Sequence, residues 1–150
     1  MNTNSFDVAV IGGGPAGLSA ATTLARSLRS VVVVDGGQPR NAPADGAHNV
    51  LGQENIRPTD LLDRGRVEAR SYGADFTSDE VIDAVRHEDG TFTLTLADGH
   101  PVVARRVLLA TGLVDELPEV PGVTELWGST VLHCPFCHGW EVRGQRIGVL

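Results

Sequence analysis

The sequence predicts an α/β fold in which a parallel sheet carries a small inserted β-meander. Residues 6–11 and 31–35 are short apolar runs of the kind that form buried parallel strands. A glycine-rich turn and a run of small and apolar residues separate them, which indicates a strand, turn, helix and strand in order. Asp-Gly pairs at 89–90 and 98–99 separate later β-rich runs and are strong hairpin signals. These features predict a Rossmann-like, three-layer ββα architecture.

The composition is that of one ordinary globular domain. The chain has 150 residues, of which 41% are hydrophobic and 21% charged. Its formal net charge of -7 argues against a nucleic-acid partner or an anionic membrane surface. No apolar run approaches the roughly 20 residues that span a bilayer, and residues 1–5 lack the basic start of a signal peptide. We therefore expect a cytoplasmic protein with no nucleic-acid and no membrane partner.

The turn after the first strand has the spacing of a dinucleotide fingerprint, Gly12-x-Gly14-x-x-Gly17. The glycines permit a tight turn, close approach of the backbone to a pyrophosphate, and close packing of the helix. The helix that follows would point its free N–H groups at the phosphates. Asp35 ends the second strand roughly 20 residues on, where such folds bind a ribose hydroxyl. A glycine turn without a ligand is the alternative, and the order of elements favours the nucleotide.

Two helices and a third strand are predicted in the same part of the chain. The first helix spans 15–29 and packs on the sheet through small and apolar residues, namely Ala16, Leu18, Ala20, Ala21, Leu24, Ala25 and Leu28. Residues 36–57 have little periodicity, so we expect a long loop that covers a cofactor. The second helix spans 58–72 and has candidate buried residues Leu61, Leu62, Val67 and Ala69 and a solvated row of Arg64, Arg66 and Arg70. Residues 74–77 can form a third parallel strand.

The remaining residues predict a meander and then a change of domain. Alternating runs at 80–86, 91–97 and 100–106 form the meander, and residues 107–110 form a separate buried strand. We place the first domain at 1–112, a connector at 113–128 and the start of a second nucleotide-binding domain at 129–150. In that last segment, 129–133 is strand-like and 146–150 resembles the first strand of another βαβ unit. We expect the chain to be a fragment.

Cys134 and Cys137 form a Cys-Pro-Phe-Cys motif, which suits redox chemistry in a cytoplasmic protein. A cysteine in the first turn of a helix has a lowered pKa and is a better nucleophile, and the second sulfur resolves the mixed disulfide. His133 or His138 could donate a proton to the leaving thiol. Three alternatives are weaker. Haem attachment lacks an export signal and leaves the glycine fingerprint unexplained, a zinc site lacks a second cysteine pair, and the intracellular context disfavours two inert buried thiols.

A nucleotide fold and a redox dithiol in one chain favour FAD, which exchanges two electrons with a thiol pair. Three more segments accompany the two motifs: Asp-Gly-Gly-Gln at 35–38, His-Asn-Val-Leu-Gly at 48–52 and Ala-Thr-Gly at 110–112. With them, the chain resembles the low-molecular-weight thioredoxin reductase-like flavoproteins over nearly its whole length. The resemblance implies FAD in the first domain, NADPH in the second and a homodimer. It implies cofactor-binding residues Gly12, Gly14, Pro15, Ala16, Gly17, Asp35, Gly36, Gly37, Gln38, Asn49, Val81, Ala110, Thr111 and Gly112.

One departure from that family pattern concerns the residue after the second cysteine. The reductases usually have Asp there as proton donor, whereas this chain has His138. Cys-Pro-x-Cys-His-Gly looks more like the branch that includes dithiol oxidases of natural products, in which O₂ reoxidises the flavin. The resemblance implies that Cys137 faces the flavin and Cys134 exchanges with substrate. The expected partner is a small dithiol or disulfide, or a thioredoxin-like protein, and a non-enzymatic redox sensor is the alternative function.

Other histidines and the tryptophans have lesser predicted roles. His87 and His100 flank the hairpin turns and are expected to be solvated. His48 lies in the long loop, where it could approach the flavin or have a structural role. Trp127 and Trp140 are expected to pack near the domain boundary, and Trp140 could line a substrate groove.

Overall fold

The computed structural model describes residues 5–149 and groups the chain into two compact units. The first unit comprises the residues up to Pro39 together with Leu61–Leu113, and the second comprises Arg40–Asp60 and the residues from Val114 onward. The predicted domain boundaries at residues 112 and 128 stay predictions.

The first unit contains the predicted sheet. Its elements are β1 (Ser5–Ile11), α1 (Pro15–Arg26), β2 (Val31–Val34), α2 (Pro58–Ser71, which belongs to this unit from Leu61 onward), β3 (Asp75–Thr77), β4 (Val81–Arg86), β5 (Phe92–Leu96) and β6 (Pro101–Leu109). The strands form one sheet in the order β3-β2-β1-β6-β5-β4. The first four are mutually parallel, and β5 and β4 continue the sheet antiparallel. The predicted α/β fold with an inserted meander is therefore confirmed.

Strand β6 corrects one sequence prediction, because residues 100–106 and 107–110 do not form separate strands. The continuous strand β6 has two different neighbours. Val102 pairs antiparallel with Leu94 of β5, and Val107 pairs parallel with Ala9 of β1. The change from an alternating run to an apolar run predicts two strands, but one strand carries both patterns because the side chains of Arg105 and Arg106 are exposed within it. Arg105 lies 3.3 Å from a carboxylate oxygen of Asp7 in this way.

The core covers both faces of the sheet. All four valines of β2 are buried, and their alternation sends Val32 and Val34 to one hydrophobic cluster and Val31 and Val33 to the other. Ala21 and Ala25 of α1 and Ala69 of α2 belong to the second cluster. Small residues there let the helices approach the sheet closely.

The helix predictions need two corrections. Helix α1 ends at Arg26 rather than near residue 29, because Leu28 has a left-handed φ of 60° and is 91% exposed. In α2, Leu62 and Ala69 are buried as predicted, but Val67 is exposed. Spacing alone placed Val67 on the apolar face, whereas the sheet contacts a narrower stripe of the helix.

The second unit has little regular structure among the described residues. It contains the short helices α3 (Val123–Leu126) and α4 (Pro135–His138) and isolated bridges between Ala47 and Ile56 and between Trp127 and Val131. The predicted strands at 129–133 and 146–149 are wrong, since only the single bridge at Val131 has strand character. A strand needs a neighbouring strand for its hydrogen bonds, and these segments have none among residues 5–149. Leu150 lies outside the described residues.

Within residues 5–149, none of the helices combines the length and the apolar character needed to cross a bilayer.

Candidate functional site

The glycine turn between β1 and α1 is sterically restricted at Gly12, Gly13 and Gly17, and a Cβ at Gly13 would overlap the Asp35 carboxylate. Gly12 has a φ of +107°, which favours glycine, and a Cβ there would overlap the carbonyl oxygen of Ala110. A Cβ at Gly17 would overlap the carbonyl oxygen of Gly12. Gly14 is different, because nothing lies within 4 Å of the place where its Cβ would be. The turn is therefore tightly packed on the protein side and open at Gly14.

The open side of the turn fits a pyrophosphate. Gly14 is the N-cap of α1, and neither a side-chain cap nor an acidic residue occupies the first turn of this helix. Pro15 follows at the first helical position, where its missing N–H costs no hydrogen bond. An uncapped helix N-terminus offers N–H groups and the positive end of a dipole to an anion. The backbone of the predicted residues Gly14, Pro15 and Ala16 thus lies at a helix N-terminus that suits an anion.

Asp35 lies directly after β2, beside the glycine turn. Its carboxylate accepts hydrogen bonds from the Gly37 N–H at 3.2 Å and from the Arg66 guanidinium at 3.0 Å. Burial raises the pKa of this carboxyl, but the hydrogen bonds from Arg66, Gly37 and Gly13 outweigh it, and the net pKa is lowered. Asp35 is therefore an ionised acceptor at neutral pH, as a ribose-binding acid has to be.

A cavity of about 340 Å³ opens beside Asp35. Gly36, Gly37, Arg66 and Arg70 are among the residues that line it. The predicted solvated arginine row is wrong for Arg66, whose side chain is 25% exposed and contacts both Asp35 and Asp63. Arg70 is exposed, with its guanidinium 4.6 Å from the centre of the Phe76 ring. Arg66 and Arg70 of α2 thus form one wall of this cavity.

Arg66 should control the ionisation of Asp35. The carboxylate stabilises the fold above its ordinary pKa of 3.8, and this contribution is lost as the pH falls through the lowered folded-state pKa. We expect Arg66→Met to raise the pKa of Asp35, so that acid unfolding begins at higher pH than in the wild type. Urea unfolding across the acid range measures this. Arg26→Met is the control, since its guanidinium lies over the Tyr72 ring instead. If acid unfolding of Arg66→Met began at the same pH as in the wild type, Arg66 would not be what lowers the pKa of Asp35.

The other predicted cofactor residues of this unit lie at the ends of its strands. Ala110 follows β6, and its N–H donates to the Ile11 carbonyl at 2.8 Å, which holds residues 110–112 against the glycine turn. Gly112 has a φ of +68°, and Thr111 precedes it. Val81 begins β4 and is half-buried, whereas Gly36, Gly37 and Gln38 are exposed after β2. Their binding roles stay predictions.

In the second unit, Cys134 and Cys137 are joined by a disulfide. Cys134 is the N-cap of α4, Pro135 begins this helix, and Cys137 lies in its first turn as predicted. The Cys137 N–H donates to the Cys134 carbonyl at 3.1 Å, which closes the turn around the two sulfurs. Cys134 is half-buried and Cys137 is exposed. The predicted proximity of the two sulfurs is confirmed.

The two histidines beside the cysteines have different surroundings. The ring of His133 stacks on the indole of Trp127, with their centres 5.2 Å apart. The Nδ1 atom of His138 is buried and has no hydrogen-bond partner among the described residues. A buried ring nitrogen without a partner is costly, so His138 has a proton site to offer a group bound next to it. Trp140 is 71% exposed, so it is not buried as a packing residue, and the Arg143 guanidinium lies 4.1 Å from the centre of its ring.

Asn49 reaches the segment between the two cysteines. Its side-chain N–H donates to the Phe136 carbonyl at 3.0 Å, and its own backbone has a φ of +62°. His48 precedes it and pairs with Glu54 and Glu141. Among residues 5–149, no group of three or more His, Cys, Asp and Glu side chains is placed to hold a metal ion.

Comparison with known proteins identifies the family. Residues 6–147 match the pyridine nucleotide-disulphide oxidoreductase family. The chain belongs to this family. The expected resemblance to thioredoxin reductase-like proteins is confirmed by relatives that carry that name. One is the thioredoxin reductase tcpT of Claviceps purpurea (strain 20.1), 37% identical over 99% of this chain and 47% of its own length.

Solved structures agree with this oxidoreductase assignment. The crystal structure of HlmI is 49% identical with a TM-score of 0.90, covering 95% of this chain and 46% of HlmI. A putative thioredoxin reductase TrxB from Bacillus anthracis is 34% identical with a TM-score of 0.88, covering 91% of this chain and 46% of that protein. The chain therefore spans about half the length of the relatives it matches.

Three residues of the candidate site are not indicated by the sequence. The helical spacing predicts that Arg66 lies in a solvated row, and no sequence pattern points to Glu54 or Glu141. Their roles follow from their ion-pair partners. Glu54 and Glu141 both contact His48, and Arg66 contacts Asp35. A single sequence contains no signal for such pairings.

Proposed function

We propose that this protein is an FAD-dependent dithiol/disulfide oxidoreductase. The observation that carries the proposal is the Cys134–Cys137 disulfide at the start of α4, in a chain of the pyridine nucleotide-disulphide oxidoreductase family. The relatives named thioredoxin reductase support the same class of reaction. The chain spans about half the length of those relatives. The activity of the whole protein is therefore a proposal, and it depends on the Cys134–Cys137 pair.

The glycine turn and Asp35 are the residues that would hold the cofactor. Gly12 and Gly17 keep the turn tight, the N-terminus of α1 at Gly14 suits the pyrophosphate, and Asp35 suits a ribose hydroxyl. When bound, FAD takes up or gives back the two electrons that a dithiol loses or gains. Asn49, Val81, Gln38 and residues 110–112 complete the proposed binding residues.

Each residue of the redox motif has a proposed role. A substrate thiolate attacks the sulfur of Cys134, the Cys134–Cys137 bond breaks, and Cys137 leaves as a thiolate. The second substrate thiol then attacks the mixed disulfide, which releases oxidised substrate and the Cys134 thiol. The two sulfurs lie at the two ends of the same short turn, so either can re-form the disulfide once the mixed disulfide has formed on the other. His138 is the proposed proton acceptor and donor, because its buried Nδ1 has no other partner in the described chain.

The His138 that follows Cys137 supports a small dithiol rather than thioredoxin as the substrate. In this proposal O₂ is the final electron acceptor, as in the dithiol-oxidase branch that the sequence resembles. A thioredoxin reductase that uses NADPH is the second candidate, and the names of the relatives favour it. A cytoplasmic homodimer is part of either proposal.

Anaerobic titration of the FAD-loaded protein with a small dithiol tests the function. We expect the dithiol to bleach the flavin absorption band, and subsequent O₂ to restore it with release of peroxide. Restoration by oxidised thioredoxin, together with bleaching by NADPH, would assign the reductase instead. A flavin band that neither donor bleaches would reject the enzyme and leave a redox sensor.

A further inference from the structure

His48 lies between two carboxylates in the second unit. Its Nδ1 is 2.6 Å from Oε1 of Glu54, and its Nε2 is 3.5 Å from Oε1 of Glu141. The His48 side chain is only 18% exposed. Glu54 belongs to the same loop as His48, whereas Glu141 follows the dithiol helix α4. One imidazole thus joins the loop to the redox segment.

This arrangement favours the charged form of the imidazole. A neutral imidazole carries one N–H, so one ring nitrogen would turn a lone pair towards a carboxylate. The imidazolium carries two N–H groups and a positive charge, and it satisfies both carboxylates at once. The hydrogen bond that the His48 ring donates to Glu54, together with the charges of Glu141 and Glu54, raises the pKa of His48, and partial burial opposes this rise. The pKa of Glu54 is lowered in return, mainly by its hydrogen bond with His48.

The same loop contacts the cysteine motif directly. Glu54 also accepts a hydrogen bond from the Asn49 N–H at 3.2 Å, so it fixes His48 and Asn49 together. Asn49 in turn donates to the Phe136 carbonyl, which lies between the two cysteines. Two neighbouring residues of the loop therefore hold the redox segment, one at Phe136 and one at Glu141.

We propose that His48, as an imidazolium between Glu54 and Glu141, is a positioning residue that holds the Cys134–Cys137 turn for thiol exchange. The proposal rests on the proposed oxidoreductase function. His48 acts through Asn49 and Glu141 on the backbone that carries the sulfurs. Exchange requires collinear approach of a thiolate to a disulfide sulfur, so the orientation of this turn affects the rate.

The link has a defined pH window. A raised folded-state pKa means that the imidazolium contributes fully below the ordinary pKa of 6.5 and loses its contribution as the pH rises through the raised value. Glu54 and Glu141 are the charged groups that face His48. The pKa of Glu54 is lowered, mainly by its hydrogen bond with His48, so the Glu54 carboxylate keeps its charge in this range. The loss of the link at alkaline pH is therefore assigned to His48.

The test compares rates of flavin bleaching by a small dithiol in the FAD-loaded wild type and in His48→Gln. We expect the wild type to be roughly two- to fivefold faster at pH below the raised pKa, which is the range given by one partly exposed ion pair. The ratio of the two rates should fall to about one above that pKa. His100→Gln is the matched control, because His100 pairs with Asp98 at a hairpin turn. Its ratio to the wild type should stay near one at every pH. A His48→Gln ratio that does not change with pH would overturn the proposal.

An NMR titration of the same protein tests the link without activity. We expect the amide signals of residues 136–141 to follow the titration of the His48 ring, and Glu141→Gln to lower the pKa of His48. The proposal would also be overturned if these amide signals did not change as His48 titrates, or if the pKa of His48 were the same in Glu141→Gln as in the wild type. A wild type whose flavin is not bleached at all would reject the oxidoreductase function, while this titration would still decide the link.

Discussion

Cys137→Ser is expected to abolish bleaching of bound FAD by a small dithiol, with a rate loss on the order of a thousandfold. The reason is chemical. A serine hydroxyl forms no disulfide and is a poor leaving group compared with a thiolate, so the electron pair of the substrate has no route through the motif. Anaerobic stopped-flow absorbance of the FAD-loaded protein measures the rate. The cofactor should stay bound, because neither cysteine is among the proposed FAD-binding residues.

Cys134→Ser is the matched control, because it removes the other sulfur of the same disulfide. In both variants the dithiol should no longer bleach the flavin. Only Cys137→Ser keeps the Cys134 sulfur, which is the one proposed to react with the substrate. After addition of a small disulfide, mass spectrometry should therefore find a mixed disulfide at Cys134 in Cys137→Ser, because the Cys134 thiolate attacks the added disulfide and one of its two thiols leaves. The reverse pattern would exchange the roles of the two cysteines. Bleaching at the wild-type rate in Cys137→Ser would remove the pair from the mechanism.

The sheet could be predicted because its signals are local. The four valines of β2, the glycine turn and the two Asp-Gly pairs each determine a short segment by steric or packing rules that act within a few residues. Strand β6 was divided wrongly because its two neighbours come from opposite ends of the unit. Pairing with both β1 and β5 makes residues 101–109 one strand, and no local pattern contains that information.

In the candidate site too, the local feature could be predicted from the sequence and the contacts between distant residues could not. The Cys-x-x-Cys spacing predicts a disulfide within one helical turn, and the structure has it. The link from Asn49 to Phe136 joins residues 87 positions apart in the sequence. Arg66 was assigned to solvent because helical spacing shows which residues share a face and not which acid that face meets. Its contact with Asp35 depends on how α2 packs against the end of β2.

Gly17→Ala is expected to cost roughly 2–4 kcal/mol of unfolding free energy and to eliminate FAD binding. The added Cβ would overlap the carbonyl oxygen of Gly12, and the side chain of Val10 is also within 3.3 Å of it. The obstacle is backbone of the turn itself, which cannot rotate away as a flexible side chain could. Relief requires α1 to move from the sheet, where Ala21 and Ala25 are packed. Urea unfolding and the FAD content after gel filtration measure the two losses.

Gly14→Ala separates binding from folding in the same turn. Gly14 has a φ of -74°, which any residue adopts, and nothing lies within 4 Å of its future Cβ. The fold should therefore keep its stability within about 0.5 kcal/mol. The methyl group would nevertheless stand where a pyrophosphate has to approach the N-terminus of α1, so FAD affinity should fall by roughly tenfold or more, as it does when a close ligand contact is lost. Wild-type affinity in Gly14→Ala would show that the open side of the turn does not face the cofactor. The requirement for glycine at position 17 would then come from the packing of α1 on the sheet and not from cofactor binding.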